Sequence, residues 1–234
     1  MPTPQPVIPP AAPRSDTELS EFLLRACHDL RGPLRALRIH GEILARRSAK
    51  QPPDDPDQPL AFVLSGAAAA MAVVDGLADY ALALAVDTAR FQPVPLEVMF
   101  RVALAKLSPQ LRESDEVTYD NLPSVRGDAD RLLQLFEYLV DHALRHRGSG
   151  PASIHIAAEL QNGAWLFTLR DNCAGMAAEN MEGAFTPFAR LYTNQRPGPG
   201  LATCRAIVER HGGRMWAESD PGAGCVLRFT LPSD

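Results

Sequence analysis

Nothing in the sequence supplies a cysteine framework: Cys27, Cys173, Cys204 and Cys225 are scattered through 234 residues with no CxxC pair. That spacing argues against a disulfide scaffold and against a zinc site, and the four residues read as reduced small hydrophobes. An excess of positive charge is missing as well. Lys and Arg number 23 against 28 Asp and Glu, a net charge of −5, so no basic field exists to hold nucleic acid or an anionic membrane. Aromatic residues make up only 6%, and the aliphatic remainder leans toward helix. No apolar run approaches the length of a membrane span, and the first residues, MPTPQPVIPPAAPRSD, lack the basic start and apolar centre of a signal peptide. These absences predict a cytoplasmic protein with no membrane span and no nucleic-acid partner.

What is present divides the chain in three. Residues 1–14 hold six prolines and no core-forming pattern, which predicts an extended, disordered tail. Residues 15–90 read as a helical hairpin. Ser15 and Glu18 stand at capping-box spacing, and Leu23, Leu30, Leu37 and Leu44 follow at intervals of seven. After a turn-rich break at 48–59, Leu60, Val63, Ala67, Ala70, Val74, Leu77, Ala81 and Leu84 recur three and four apart. A hairpin of this kind cannot bury both faces alone, whereas two copies make a four-helix bundle, so a homodimer is expected. The alternative is a monomer whose hairpin packs on the rest of the chain.

Residues 91–234 change to a mixed pattern. Leu96–Leu107, Asp128–Arg147 and Leu201–His211 read as helices, and Ile154–Leu160, Trp165–Leu169, Arg214–Glu218 and Cys225–Leu231 as strands. Consecutive strands with isolated helices predict a helix layer over one mixed sheet, an α/β sandwich, and therefore an α+β fold overall.

The chemistry starts at Cys27-His28-Asp29-Leu30-Arg31-Gly32-Pro33-Leu34. Counted from Leu23 and Leu30, His28 falls on the wet face of its helix, whereas His40 occupies a seam position suited to a structural role. An exposed imidazole is largely neutral near pH 7 and is a good nucleophile. Asp29 is placed to orient the ring or take its proton. Pro33 removes the helix bond to the carbonyl four residues earlier, at Asp29, a cost easiest to understand at a functional site.

The octet around His28 resembles the H-box of sensor histidine kinases, and later segments resemble the ATP-binding domain of the same family in order and spacing. Arg170-Asp171-Asn172-Cys173-Ala174-Gly175-Met176 is similar to the first glycine box. Phe185-Thr186-Pro187-Phe188-Ala189-Arg190-Leu191 matches the F-box, and Gly198-Pro199-Gly200-Leu201-Ala202-Thr203-Cys204-Arg205 resembles the second glycine box. The resemblance implies that Asp171 receives the adenine amino group, although a strand-end aspartate of purely structural use fits the same position. It also implies that Gly175, Gly198, Gly200 and Leu201 border the nucleotide and that the stretch from Gly175 to Gly198 closes over it. Phe185 and Phe188 would pack that lid or serve as ordinary core. ATP with Mg2+ is the implied cofactor set, and a response-regulator receiver domain the implied partner.

The departures from the family pattern lie mainly in the N-box, where Tyr138 and His142 replace the two asparagines and Arg145 the closing lysine. Magnesium prefers hard oxygen ligands, and the imidazole of His142 is a poor substitute for an amide oxygen. Asp141 is one residue out of register, about 100° around the helix. Cys173 and Arg196 replace glycines, and Gly32 stands where the family commonly has Thr or Asn for removing phosphate from the regulator. Two functions remain open on these residues. One is an ATP-dependent protein-histidine kinase acting through His28 and Asp29. The other is a catalytically silent phosphotransfer or scaffold protein with a degenerate nucleotide site. A plain ATPase of the wider gyrase and chaperone superfamily has no reason to carry an H-box.

Overall fold

The computed structural model describes residues 16–48, 57–148, 150–175, 183–186, 200–219, 222 and 224–233. The proline-rich tail, the Ser15 cap, Phe188 and Gly198 lie outside the described residues.

Helices α1 (Asp16–Ser48) and α2 (Asp57–Leu84) form the expected hairpin, with Pro33 inside α1. The surface joining them differs from the expected seam. From residue 63 to the end of α2 the buried positions are Gly66, Val73, Gly76 and Ala83, while Val74 is 48% exposed. Helix axes come closest where side chains are smallest, and Gly66 shows the limit: a Cβ there would stand 3.2 Å from both Leu37 Cγ and the Pro33 carbonyl oxygen. Glycine therefore seats α2 directly over the proline of α1. Leu30, Leu37 and Leu44 of the heptad series are left half-covered, and Leu34, Ile39, Leu64, Met71, Val74 and Leu82 are exposed on the single chain.

One further expectation needs correction. Val63–Leu84 is long and apolar enough, by length and composition, to cross a membrane, with 22 residues at a mean hydropathy of 1.5. Leucine and valine carry most of that hydropathy and eight alanines add to it, so the segment is apolar around its whole circumference rather than along one stripe. Asp75 and Asp79 lie within it.

Beyond α2, strand β1 (Gln92–Pro95) leads into α3 (Leu96–Leu107), followed by β2 (Glu116–Tyr119), β3 (Ser124–Gly127) and α4 (Ala129–His146). Then come β4 (Ser153–Gln161), β5 (Ala164–Asp171), α5 (Gly200–Arg210), β6 (Met215–Ser219) and β7 (Cys225–Pro232). Five strands form one mixed sheet in the order β2-β4-β5-β7-β6, with β2 and β4 parallel and the other pairs antiparallel. A separate antiparallel ribbon joins β1 to β3.

Asp128 starts α4 by accepting a hydrogen bond from the Arg131 N–H at 3.1 Å, which satisfies one of the helix's unpaired first-turn donors. From there Leu132, Leu135, Phe136, Leu139 and Val140 present one apolar stripe. Burial of each such side chain stabilises the fold by roughly 1.5–3 kcal/mol. Phe136 meets Phe100 of α3 edge-on with ring centroids 5.5 Å apart, and Phe167 stacks on Phe229 at 4.6 Å in the sheet layer. The helices thus cover one face of the sheet.

The hairpin docks on this module through the C-terminal half of α2. Gln134 of α4 donates to Asp79 Oδ1 at 3.0 Å and to the Tyr138 hydroxyl at 2.9 Å, and that hydroxyl donates to Asp79 Oδ2. Arg210 of α5 donates to the Leu84 carbonyl at the end of α2. Ala83 joins the module's own apolar core.

Candidate functional site

The ends of β5 and β7, the C-terminal half of α4 and the start of α5 enclose a pocket of about 450 Å3, part of it open to solvent. His142 and His146 of α4, Cys173 and Gly175 after β5, Leu201 of α5 and Cys225 of β7 are among its walls. Gly175 lines the pocket and Gly200 precedes the lining Leu201. Gly175 has φ of 71° and Gly200 φ of 50°, a region that favours glycine, and no atom lies within 4 Å of a Cβ built on Gly200.

Asp171 ends β5 beside this pocket and is 9% exposed. Its Oδ1 accepts the Cys173 N–H at 2.9 Å, whereas Oδ2 is buried without a hydrogen-bond partner. An unsatisfied buried acceptor costs about 1–3 kcal/mol, so a ligand N–H donor would find a favourable position there. Gly224 lets β7 begin this close: a Cβ at that residue would lie 2.2 Å from the Asp171 carbonyl oxygen, and its φ is 87°. Asp115 pins the neighbouring edge, accepting from Arg112 N at 2.9 Å, Ala152 N at 2.7 Å and Arg147 Nη1 at 2.6 Å. Those backbone N–H groups, and then the Arg147 charge, hold its carboxyl below the usual carboxylate range. Arg147 in turn bridges to Cys173 through the main chain.

The family model described as "Histidine kinase-, DNA gyrase B-, and HSP90-like ATPase" matches residues 127–234, which contain the whole of this pocket. Those residues belong to that ATPase family.

The likeness extends beyond the ATPase module. Aligned over 225 residues, 94% of its length, the chain is 34% identical to "Cyanobacterial phytochrome A" of Nostoc sp. strain PCC 7120. It is 30% identical over 91% of its length to "Signal transduction histidine-protein kinase BaeS" of Escherichia coli K12. The chain spans 29% and 46% of those two proteins, less than half of either. Among solved structures, Acinetobacter baumannii histidine kinase AdeS superposes over 88% of this chain and 98% of its own, with a TM-score of 0.65 at 19% identity. Histidine kinase ThkA, in complex with response regulator protein TrrA, covers 93% of this chain and 63% of its own, with a TM-score of 0.67 at 21% identity. At those identities the structures establish the fold.

Within the ATPase module, the sequence-selected residues divide. His142, Gly175 and Leu201 line the pocket, and Asp171 and Gly200 border it. Tyr138 does not line it, because its hydroxyl is bonded to Asp79 of the hairpin. Burial and the Asp79 carboxylate hold that phenol well above the ordinary tyrosine range. Arg145 is exposed and pairs with Asp141 at 2.8 Å, also away from the pocket wall. The rings of His142 and His146 lie 4.6 Å apart and tilted by 49°. Sequence reasoning missed His146 and Cys225. His146 follows His142 by one helical turn and was legible on that ground.

At the hairpin, His28 is 67% exposed while the adjacent Asp29 side chain is 3% exposed. His28 Nδ1 stands 3.4 Å from Asp29 Oδ1, and Asp29 Oδ2 is buried without a hydrogen-bond partner. The heptad count thus places His28 on the face where the structure has it.

His211 ties the end of α5 to the cap of α4 and to the segment before β1. Its Nδ1 bonds the Ile207 carbonyl at 2.8 Å, its Nε2 accepts the Asp128 N–H at 3.0 Å, and its ring stacks on Phe91 at 4.6 Å. Both nitrogens are used only in the neutral tautomer, and burial holds the pKa below the ordinary histidine value. A histidine whose folded pKa is depressed contributes stability above its unfolded pKa and loses it as pH falls through the folded one. We expect the melting temperature to drop as pH falls below about 6.5, and to drop less steeply in His211→Gln. Equal acid sensitivity of the two proteins, measured by thermal unfolding from pH 7.5 to 5, would remove His211 as the cause.

Proposed function

We propose that this chain is a protein-histidine kinase of two-component signalling, which moves the γ-phosphoryl group of ATP to His28 and then to an aspartate of a response-regulator receiver domain. The observation that carries the reading is the pairing, on one chain, of an exposed imidazole backed by a buried carboxylate with an ATPase pocket bordered by an unsatisfied acceptor. Asp171 Oδ2 fits the adenine amino group, which brings the donor that the buried oxygen lacks. The N-terminus of α5, opened by Gly200, offers backbone N–H groups and the positive end of the helix dipole to phosphates.

At His28 the roles follow from the ring's two nitrogens. With Nδ1–H directed to Asp29, the lone pair remains at Nε2, the nucleophile for in-line attack. The N–P bond forms as the bond between the γ-phosphorus and the bridging oxygen breaks, and ADP departs. Asp29 offsets the positive charge that develops on the ring.

The described residues do not fit a protein-held magnesium ion. They contain no group of three or more His, Cys, Asp or Glu side chains able to hold a metal, and the N-box places an imidazole at His142 and a hydrogen-bonded phenol at Tyr138. No step above is routed through such an ion. Manganese accepts imidazole more readily than magnesium does. Labelling of the purified chain with γ-labelled ATP is therefore expected to run faster with manganese than with magnesium. His142→Asn should raise the magnesium rate about tenfold, equivalent to roughly 1.4 kcal/mol. A chain that takes no label from ATP with either metal, yet accepts phosphate from a phosphorylated receiver domain, would overturn the kinase reading in favour of a silent phosphotransfer protein.

We also propose a homodimer. Leu34, Ile39, Leu64, Met71, Val74 and Leu82 all lie exposed on the hairpin, and a second copy packed as a four-helix bundle covers such a surface. The same packing gives the apolar Val63–Leu84 segment a protein partner and suits a protein of the cytoplasm. Sedimentation without detergent should show two chains at micromolar concentration. The double change Leu64→Glu and Met71→Glu should yield one, and a folded wild-type monomer would refute the bundle.

A further inference from the structure

Two of the pocket's wall residues are cysteines that the phosphoryl-transfer chemistry does not use. Asp171 and Cys225 are cross-strand partners in the antiparallel β5–β7 pair, and Cys173 follows Asp171 by two residues, so the turn after β5 brings a second thiol to the start of β7. The two thiols interact directly. Both are almost covered, both line the open pocket, and both are reduced. Cys204 is fully buried and is not part of the wall.

Two buried cysteines in contact are often only small hydrophobes. The surroundings of this pair are asymmetric in a way that packing does not require. The Gly175 N–H donates to Cys173 Sγ at 3.3 Å, a bond that favours the thiolate there. The neighbouring Cys225 thiol, together with that amide, holds the Cys173 pKa below the ordinary value against burial and the Asp171 carboxylate, which oppose it. The contact with Cys173 and burial push Cys225 far above that value. The Gly175 amide thus marks Cys173 as the sulfur that attacks and leaves Cys225 to resolve the product.

We propose that Cys173 and Cys225 form an oxidisable dithiol in the pocket wall, whose substrate class is a hydroperoxide small enough to enter the pocket. The Cys173 thiolate attacks the outer peroxide oxygen, the O–O bond breaks, and an alcohol or water leaves, with Cys173 now a sulfenic acid. Cys225 sulfur then attacks Cys173 sulfur, water departs, and a disulfide forms. Two thiols are oxidised by two electrons and one peroxide is reduced by two. The dithiol stands on the pocket wall alone and does not depend on which ligand the pocket takes.

The test uses the full reduced chain with hydrogen peroxide and no nucleotide, followed by alkylation and peptide mass analysis without reductant. We expect two of the four thiols to be lost, one linked peptide pair joining Cys173 to Cys225, and full reversal by dithiothreitol. In Cys225→Ser, a dimedone adduct should accumulate on Cys173 in place of the link. Four thiols still titratable after a treatment that oxidises glutathione would overturn the proposal, as would links involving Cys27 or Cys204. Should the variant fail to fold, the linked pair in the unmodified chain decides the matter by its presence or absence.

Discussion

Replacing His28 with alanine is expected to abolish acid-labile, alkali-stable phosphate on the protein while leaving its fold intact. The other five histidines are poor recipients. His40 is half-buried, and His142 and His146 face each other in the pocket wall. His155 is bonded to the Thr118 hydroxyl at 2.9 Å, and both nitrogens of His211 are engaged. Only His28 combines exposure with an adjacent buried carboxylate. Alanine is the best helix former, so the substitution should not unfold α1. The check is phosphate release at low and high pH after incubation with labelled ATP, alongside circular dichroism of the variant. Label persisting in His28→Ala with the same acid lability would end the assignment.

Asp171→Ala should weaken ATP binding by roughly ten- to a hundredfold, because a hydrogen bond to a charged acceptor is worth about 1.5–3 kcal/mol. The contact is specific to one group of the base. The unmodified chain should therefore prefer ATP to a purine triphosphate that lacks the exocyclic amine, and the variant should bind the two alike. Titration calorimetry with both nucleotides separates this contact from a general loss of structure, which would lower both affinities together. Equal ATP affinity in the variant and the unmodified chain would show that the unsatisfied oxygen of Asp171 serves something else.

Much of this architecture was legible in the sequence, and the reasons are local. α3 begins at Leu96 and ends at Leu107 where its apolar spacing does, and Asp128 announces α4 as a capping residue before an amphipathic run. The four long strands were found because alternation persists over five residues or more. β1, β2 and β3 were not expected, since each has four residues. β1 also contains Pro93 and Pro95, which reads as a linker until its partner β3 is known. The hairpin was legible as two helices but not as an interface. Heptad counting weights leucine, whereas the contact surface of α2 uses Gly66, Val73, Gly76 and Ala83.

The pocket shows the same division. Asp171, Gly175, Gly200 and Leu201 occur in short motifs that a linear reading can find. Cys225 enters the site only because β7 lies beside β5, and strand order is a property of the sheet rather than of any segment. Tyr138 illustrates the converse. Its place in the N-box suggested contact with nucleotide, but Asp79, 59 residues earlier, takes its hydroxyl. A bond between distant helices leaves no periodic trace in either one.

That bond gives α2 the character of a drive shaft. At Gly66 the helix is seated on Pro33 and Leu37 of α1, and at Asp79 and Leu84 it is fastened to the ATPase module. The two fastenings are thirteen residues apart, about 20 Å along a helix that rises 1.5 Å per residue. Gly66 permits no side chain to swing in and take up slack, and the Asp79 carboxylate holds both Gln134 and Tyr138. A shift of α2 on α1 therefore bears, through Asp79, directly on α4, the helix that also carries His142 and His146 into the pocket wall.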